Sequence, residues 1–208
     1  MKKSSKKWTV GIDEVGRGPL AGPVVIATAC IAKGVKIYSK ENSKLRDSKR
    51  LTEDQREKWF KYLKSHPQFK FELARVYPKT IDRINISKAA NLAALRAFRR
   101  LCDKNKIIPE KCAVFLDGGL YLGNGDRPSF SKTVVRGDVK IKTVAMASIM
   151  AKVTRDKIMV KLHKKFPHYG FDENKGYGTA GHIKAIKRHG SSAVHRRSFD
   201  PISKALYN

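Results

Sequence analysis

The chain has 208 residues and a formal net charge of +27, from 45 Lys and Arg against 18 Asp and Glu. That length suits one sizeable core, and that charge calls for a polyanionic partner to offset self-repulsion. No apolar run of about 18 residues exists to suggest a membrane-spanning helix, Lys140, Lys142 and Lys152 flanking or interrupting the longest candidate. Cys30, Cys102 and Cys112 form no CxxC pair; with no signal-peptide segment, they argue for reduced thiols in a cytoplasmic protein.

Residues 1–7 read as a basic, flexible arm, and 8–208 as one domain with no internal repeat. Residues 8–13 and 24–31 are expected as antiparallel strands joined by a loop holding Gly16, Arg17, Gly18 and Gly22. Thr52 and Gln55 form a capping-box signature for a helix to about Ser65, which His66-Pro67 ends. Residues 69–77 alternate as a third strand. Ser87 is expected to cap a periodic helix with Leu92, Leu95, Phe98 and Leu101 on one face. Ala113–Leu116 is a short buried strand leading to Asp117-Gly118-Gly119, and 118–130 is a loop. Ser131–Arg136 is expected as a strand closed by Gly137-Asp138, and about 143–165 as a helix whose small residues permit close approach to a sheet. Pro167 stops that helix. Gly176-Tyr177-Gly178-Thr179 then leads into a basic helix that Gly190 terminates, with His182 and His189 on its surface.

This order implies a mixed sheet flanked by helices, where ligands gather at strand ends. Asp13 and Asp117 each close an apolar strand before a glycine-rich turn, and Glu14 adjoins Asp13. Asp156 lies on the long helix one turn after Lys152, so an i,i+4 ion pair is its simplest reading when taken alone. In a chain so short of acids, carboxylates beside a polyanion point instead to a divalent cation, Mg²⁺ or Mn²⁺, which all-oxygen ligands suit. Two such ions serve phosphodiester hydrolysis.

The run Gly11-Ile-Asp-Glu-Val-Gly-Arg-Gly-Pro-Leu-Ala-Gly-Pro-Val-Val25 resembles the opening motif of the ribonuclease HII family. Asp47-Ser-Lys49, Leu116-Asp-Gly118, Ala147-Ser-Ile-Met-Ala-Lys-Val-Thr-Arg-Asp156, Lys175-Gly-Tyr-Gly-Thr179 and His195-Arg-Arg-Ser-Phe199 are similar to its later motifs, in order. The resemblance implies a ribonuclease H-like α/β fold with a C-terminal helical, substrate-binding portion. It implies Asp13, Glu14, Asp117 and Asp156 as catalytic, metal-holding carboxylates. It implies hydrolysis of the RNA strand of RNA–DNA hybrids and cleavage 5′ of ribonucleotides embedded in duplex DNA, leaving 3′-hydroxyl and 5′-phosphate ends; the protein is expected to be a monomer. Gly16, Arg17 and Gly18 correspond to the loop that reads the 2′-hydroxyl, the group distinguishing RNA from DNA. Tyr177 corresponds to the aromatic that packs on the sugar at the RNA–DNA junction, and Lys49 and Ser148 to phosphate contacts. Val15, Arg136 and Asn174 depart from the family's usual alanine, lysine and histidine.

Other chemistries have little support: Gly16, Gly18 and Gly22 do not spell GxGxxG, and the six histidines show neither HExxH nor zinc spacing. A non-catalytic RNA-binding protein is the alternative of a different class, predicting binding without metal-dependent cleavage. The related ribonuclease HIII usually carries an extra N-terminal domain, for which a motif beginning at residue 11 leaves no room. No clamp-binding peptide is evident in residues 201–208.

Overall fold

The computed structural model describes residues 6–39, 45, 50–123 and 131–207. Five strands form one sheet: β1 (Trp8–Val15), β2 (Val24–Ala32), β3 (Lys70–Val76), β4 (Cys112–Asp117) and β5 (Ser131–Val134), in the order β3-β2-β1-β4-β5. β1 pairs antiparallel with β2 and parallel with β4; β2–β3 is antiparallel and β4–β5 parallel. β2 is buried along nearly its whole length, as expected of a strand covered on both faces.

Eight α-helices are described: α1 (Glu53–Ser65), α2 (Pro78–Ile84), α3 (Ile86–Asn105), α4 (Gly137–Lys140), α5 (Lys142–Lys165), α6 (Phe171–Asn174), α7 (Ala180–His189) and α8 (Ile202–Tyr207). One face of the sheet, carrying Val10, Ile12, Val24, Ile26, Val114 and Leu116, packs on α3. The opposite face, with Ala27, Ala29 and Ile31, shares a core with Trp59 and Leu63 of α1 and Met146, Ala147, Met150 and Ala151 of α5. The small residues of α5 allow this approach, as expected. So does Gly11 on β1, where a Cβ would lie 2.2 Å from the Thr143 carbonyl carbon. A third cluster of Leu20, Ala21, Met159, Tyr169, Phe171, Ile186 and Ile202 fastens the C-terminal helices to the loop after β1.

The capping box forms: Thr52 accepts from the Gln55 amide, and the Gln55 side chain accepts from the Thr52 amide. Three expectations are corrected. α3 is capped by Asn85, whose side chain accepts from Lys88 N, whereas Ser87 sits inside the first turn. Its most buried stripe is Ala89, Ala90, Ala93, Ala94 and Ala97 with Phe98 and Leu101, leaving Leu92 and Leu95 half-buried at the rim. A helix seated close on a sheet presents its small residues to the strands and its larger ones to the margins. β5 ends at Val134, because Arg136 adopts the left-handed conformation (φ 57°, ψ 45°) and starts α4. Of the arm expected over 1–7, residues 1–5 lie outside the described residues; Lys6 and Lys7 are tied to Glu110 and Lys111 by hydrogen bonds.

Candidate active site

Parallel pairing of Ile12 with Leu116 makes Asp13 and Asp117 the next residues on neighbouring strands, which run about 4.8 Å apart. Asp13, 4% exposed, accepts from the Glu14 amide at 2.8 Å and is hydrogen-bonded by Ser148 of α5. Asp117 Oδ1 accepts from Gly137 N at 2.6 Å. Burial, then the charges of Glu14 and Asp117, push the Asp13 carboxyl well above the usual carboxylate range. Glu14 lies 3.7 Å from Arg17, whose guanidinium also donates to Ser87 Oγ at 3.0 Å. Ser148, Lys152 and Asp156 recur at four-residue spacing along one face of α5. Lys152 Nζ stands 2.9 Å from Asp156 Oδ1, so the simple ion pair anticipated for this spacing forms.

Among the described residues, no three Asp, Glu, His or Cys side chains close on one point as a ready-made metal cage. The donor chemistry fits a hard cation nonetheless. All four acids offer oxygen alone, and Asp13 is buried against two further carboxylates, a concentration of negative charge that a divalent cation would relieve.

The Gly-rich loop is shaped from within by two buried guanidiniums. Arg155 donates to the carbonyls of Pro23 (3.0 Å), Ala21 (3.1 Å) and Lys175 (2.8 Å). Arg196 donates to Gly16 (2.6 Å), Arg17 (2.8 Å) and Gly22 (3.1 and 3.0 Å). Burial lowers the pKa of both, and with Arg155 nearby pulls Arg196 down to about 9, still charged at neutral pH. Gly16 has φ +89°, and a Cβ there would lie 2.2 Å from Arg155 Nε, so its bareness serves the interior. Gly18 faces outward, its nearest neighbour in the Cβ direction being Tyr177 Cε1 at 3.9 Å. Tyr177, 44% exposed, therefore lies against the loop.

Tyr177 is carried by a turn docked on that loop. Leu20 N and Ala21 N donate to Gly176 O, and a Cβ at Gly176 (φ +83°) would lie 2.6 Å from Ala21 O. Asn174 braces the turn: its Oδ1 accepts from Gly176 N at 2.7 Å, its Nδ2 donates to Tyr169 O at 2.6 Å, and its carbonyl accepts from Tyr177 N. The departure at Asn174 thus has a structural use. The structure brings Asp13, Glu14, Ser148 and Asp117 into one neighbourhood and Gly16, Arg17, Gly18 and Tyr177 into an adjoining one; Lys49 lies outside the described residues.

A family model described as Ribonuclease HII matches residues 10–202. The chain belongs to the ribonuclease HII family. A relative named Ribonuclease HII from Chlamydia pneumoniae is 43% identical over 194 residues, spanning 93% of this chain and 84% of that protein. The crystal structure of ribonuclease H2 from Pyrococcus horikoshii OT3 is similar with a TM-score of 0.69 at 27% identity, covering 95% of this chain and 96% of that one. The structure of Bst-RNase HIII in complex with Mn²⁺ shares the fold, with a TM-score of 0.68 at 19% identity, over 98% of this chain and 70% of that one. Ribonuclease HII membership makes the chain a ribonuclease H enzyme with the expected fold, which sets aside the non-catalytic RNA-binding reading.

Several residues matter to this ribonuclease HII site in ways the motifs alone did not disclose. Arg155 and Arg196 stand within matched motifs, but nothing local says that a basic residue in so basic a chain turns inward. The expected surface position of His182 is corrected: it is fully buried, its Nε2 lying 3.0 Å from His195 Nε2. The aromatic rings of Tyr169 and Phe171 pack against His182. His189 is exposed and stacks on His168.

Proposed function

We propose that this enzyme hydrolyses the RNA strand of RNA–DNA hybrids and cuts 5′ of ribonucleotides embedded in duplex DNA, leaving 3′-hydroxyl and 5′-phosphate ends. The observation that carries this reading is the adjacency of the two neighbourhoods. Strand-end carboxylates lie beside a loop that joins β1 directly to Gly18 and the ring of Tyr177. A reaction centre set beside a sugar-sized contact surface suits an enzyme that cuts where the sugar changes.

Asp13, Glu14, Asp117 and Asp156 would hold one or two Mg²⁺ or Mn²⁺ ions. When bound, such ions supply Lewis-acid stabilisation of charge at the scissile phosphate and its leaving oxygen. The protein's own groups do the rest. Ser148 and the Glu14 amide orient the Asp13 carboxylate, and Gly137 N orients Asp117. Burial and neighbouring acids favour the protonated form of Asp13, so this carboxyl would have to give up its proton to serve as a cation ligand. Lys152 neutralises Asp156 and would move to a substrate phosphate when Asp156 turns to a cation. Gly18 and the backbone of the Gly16–Gly18 loop would read the 2′-hydroxyl, with Tyr177 packing on the neighbouring sugar. Ser148 serves through Asp13, and Lys49 is assigned to a phosphate. Lys and Arg elsewhere on the surface bind the duplex backbone without regard to sequence.

The test is a DNA duplex carrying one ribonucleotide, incubated with Mg²⁺, Mn²⁺ or chelator, with both product ends mapped. Cleavage on the 5′ side of the ribonucleotide, abolished by chelator, is expected. Cutting of all-DNA duplex at the same rate, or cutting in chelator, would overturn the reading.

A further inference from the structure

Tyr177 is fastened from behind by a chain of hydrogen bonds with a single possible direction. Ser192 N donates to His195 Nδ1 at 2.9 Å, so that nitrogen presents its lone pair. The Ser192 hydroxyl, also 2.9 Å away, adds a second donor there while its oxygen accepts from Val194 N. A neutral imidazole with its lone pair on Nδ1 carries its proton on Nε2. That proton points at His182 Nε2, 3.0 Å away, which must accept. His182 therefore carries its own proton on Nδ1, 2.8 Å from the carbonyl oxygen of Tyr177. The far end demands the same order, because a carbonyl can only accept. Two backbone groups, one purely a donor and one purely an acceptor, thus fix both tautomers between them.

The pair is sealed by aromatic rings: Tyr169 lies 4.7 Å from His195 and Phe171 5.3 Å from His182, centroid to centroid. Burial lowers both imidazoles, His195 to about 4, which keeps them neutral as the chain requires. The bond to Tyr177 is not needed to close α7, whose N-terminus is already capped by Thr179 Oγ1 accepting from His182 N. Two buried imidazoles thus form a chain that ends on the carbonyl of Tyr177, the exposed aromatic residue that leans on Gly18.

We propose that Ser192, His195 and His182 form a proton-ordered relay that positions Tyr177 against the Gly16–Gly18 loop, and so sets how well the ring packs on the sugar beside a ribonucleotide. The assignment rests on the reading of Tyr177 as a substrate contact. His182 and His195 are positioning residues; neither touches substrate.

Two pairs of variants separate the relay from general packing. At His195, glutamine places an amide N–H near ring Nε2 and keeps the donor to His182. Asparagine places an oxygen near ring Nδ1, keeping the bond from Ser192 but losing His182. At His182, asparagine keeps a donor for the Tyr177 carbonyl and glutamine does not. Each variant is compared by thermal melting and by kcat and KM on a duplex with one ribonucleotide, alone and combined with Tyr177→Ala. His195→Asn and His182→Gln should cut about five- to tenfold more slowly than His195→Gln and His182→Asn, as expected for one lost hydrogen bond. In the Tyr177→Ala background the difference should shrink to within about twofold, because the relay then has nothing to position. Equal losses within each pair, or the same loss with and without Tyr177, would make the histidines ordinary core residues and overturn the relay alone. A Tyr177→Ala protein that cuts at the parental rate would overturn the substrate role of Tyr177, and the relay's purpose with it.

Discussion

Replacing Gly16 and Gly18 in turn separates the part of the Gly-rich loop that builds the scaffold from the part that meets the ligand. At Gly16 (φ +89°) an alanine methyl would stand 2.2 Å from Arg155 Nε, 2.7 Å from its Cδ and 2.9 Å from Pro23 O. A non-glycine residue in such a conformation costs about 1–3 kcal/mol. Moving Arg155 enough to clear the methyl breaks its Nε bond to Pro23 O, worth about 1.5–3 kcal/mol for a charged donor. Gly16→Ala should therefore lose about 3–5 kcal/mol, a large share of the roughly 5–15 kcal/mol that holds a domain folded. Gly18 lacks a positive φ, and its methyl would meet only Tyr177 Cε1 at 3.9 Å. Gly18→Ala should stay within about 1 kcal/mol of the parent yet lose cutting at a ribonucleotide, since the methyl stands where the ring and a sugar must share space. Urea unfolding followed by circular dichroism gives the first quantity, and cleavage of a single-ribonucleotide duplex the second. A Gly16→Ala protein as stable as the parent would refute the Arg155-backed account of the loop.

Arg196→Lys should destabilise by about 3 kcal/mol or more, since one ammonium cannot span the Gly16, Arg17 and Gly22 carbonyls that the guanidinium bridges; a melt matching the parent would contradict this. The buried imidazoles set an acid limit. His195 titrates near 4 when folded against about 6.5 unfolded, so the unfolded chain takes the proton first. Stability from the neutral ring is complete above about pH 6.5 and is lost as pH falls toward 4; urea midpoints across that window should fall in the parent and fall less in His195→Gln. Binding of duplex should weaken with salt at a log–log slope of about −0.9 per phosphate neutralised, and deleting residues 2–7 should flatten the slope without moving the cleavage site; a shifted site would give those residues a positional role.

Much of the fold could be read from the chain because its local signals agree with its packing. The capping box at Thr52, the apolar run of β2 and the small residues of α5 each say the same thing at short and long range. The placing of Asp13 and Asp117 at neighbouring strand ends was legible for a similar reason, an apolar run closing on an acid before a glycine turn being visible in the order of residues, whereas Asp156, on α5, was singled out only by the motif around it. Where reading failed, the cause was an overlooked neighbouring element or a partner far along the chain. Asn85 caps α3 in place of Ser87 because α2 occupies the preceding residues, and Pro78 at its first turn was the available sign. His182 looked exposed on a basic helix because its ring partner, His195, itself held by Ser192, comes from a segment outside any helix or named strand. Arg155 and Arg196 could not be told from surface cations, since their six acceptor residues are backbone carbonyls, which leave no trace in sequence.

The central claim is that the strand-end carboxylates cut where a ribonucleotide meets DNA. Single-turnover cleavage of a one-ribonucleotide duplex by Asp13→Asn and Asp117→Asn, beside binding of the same duplex, tests it most directly. Removal of either carboxylate should abolish cutting in Mg²⁺ and in Mn²⁺ while binding stays within about threefold, because neither acid contacts phosphate on its own. Either variant cutting at the parental rate would place the chemistry elsewhere on the molecule.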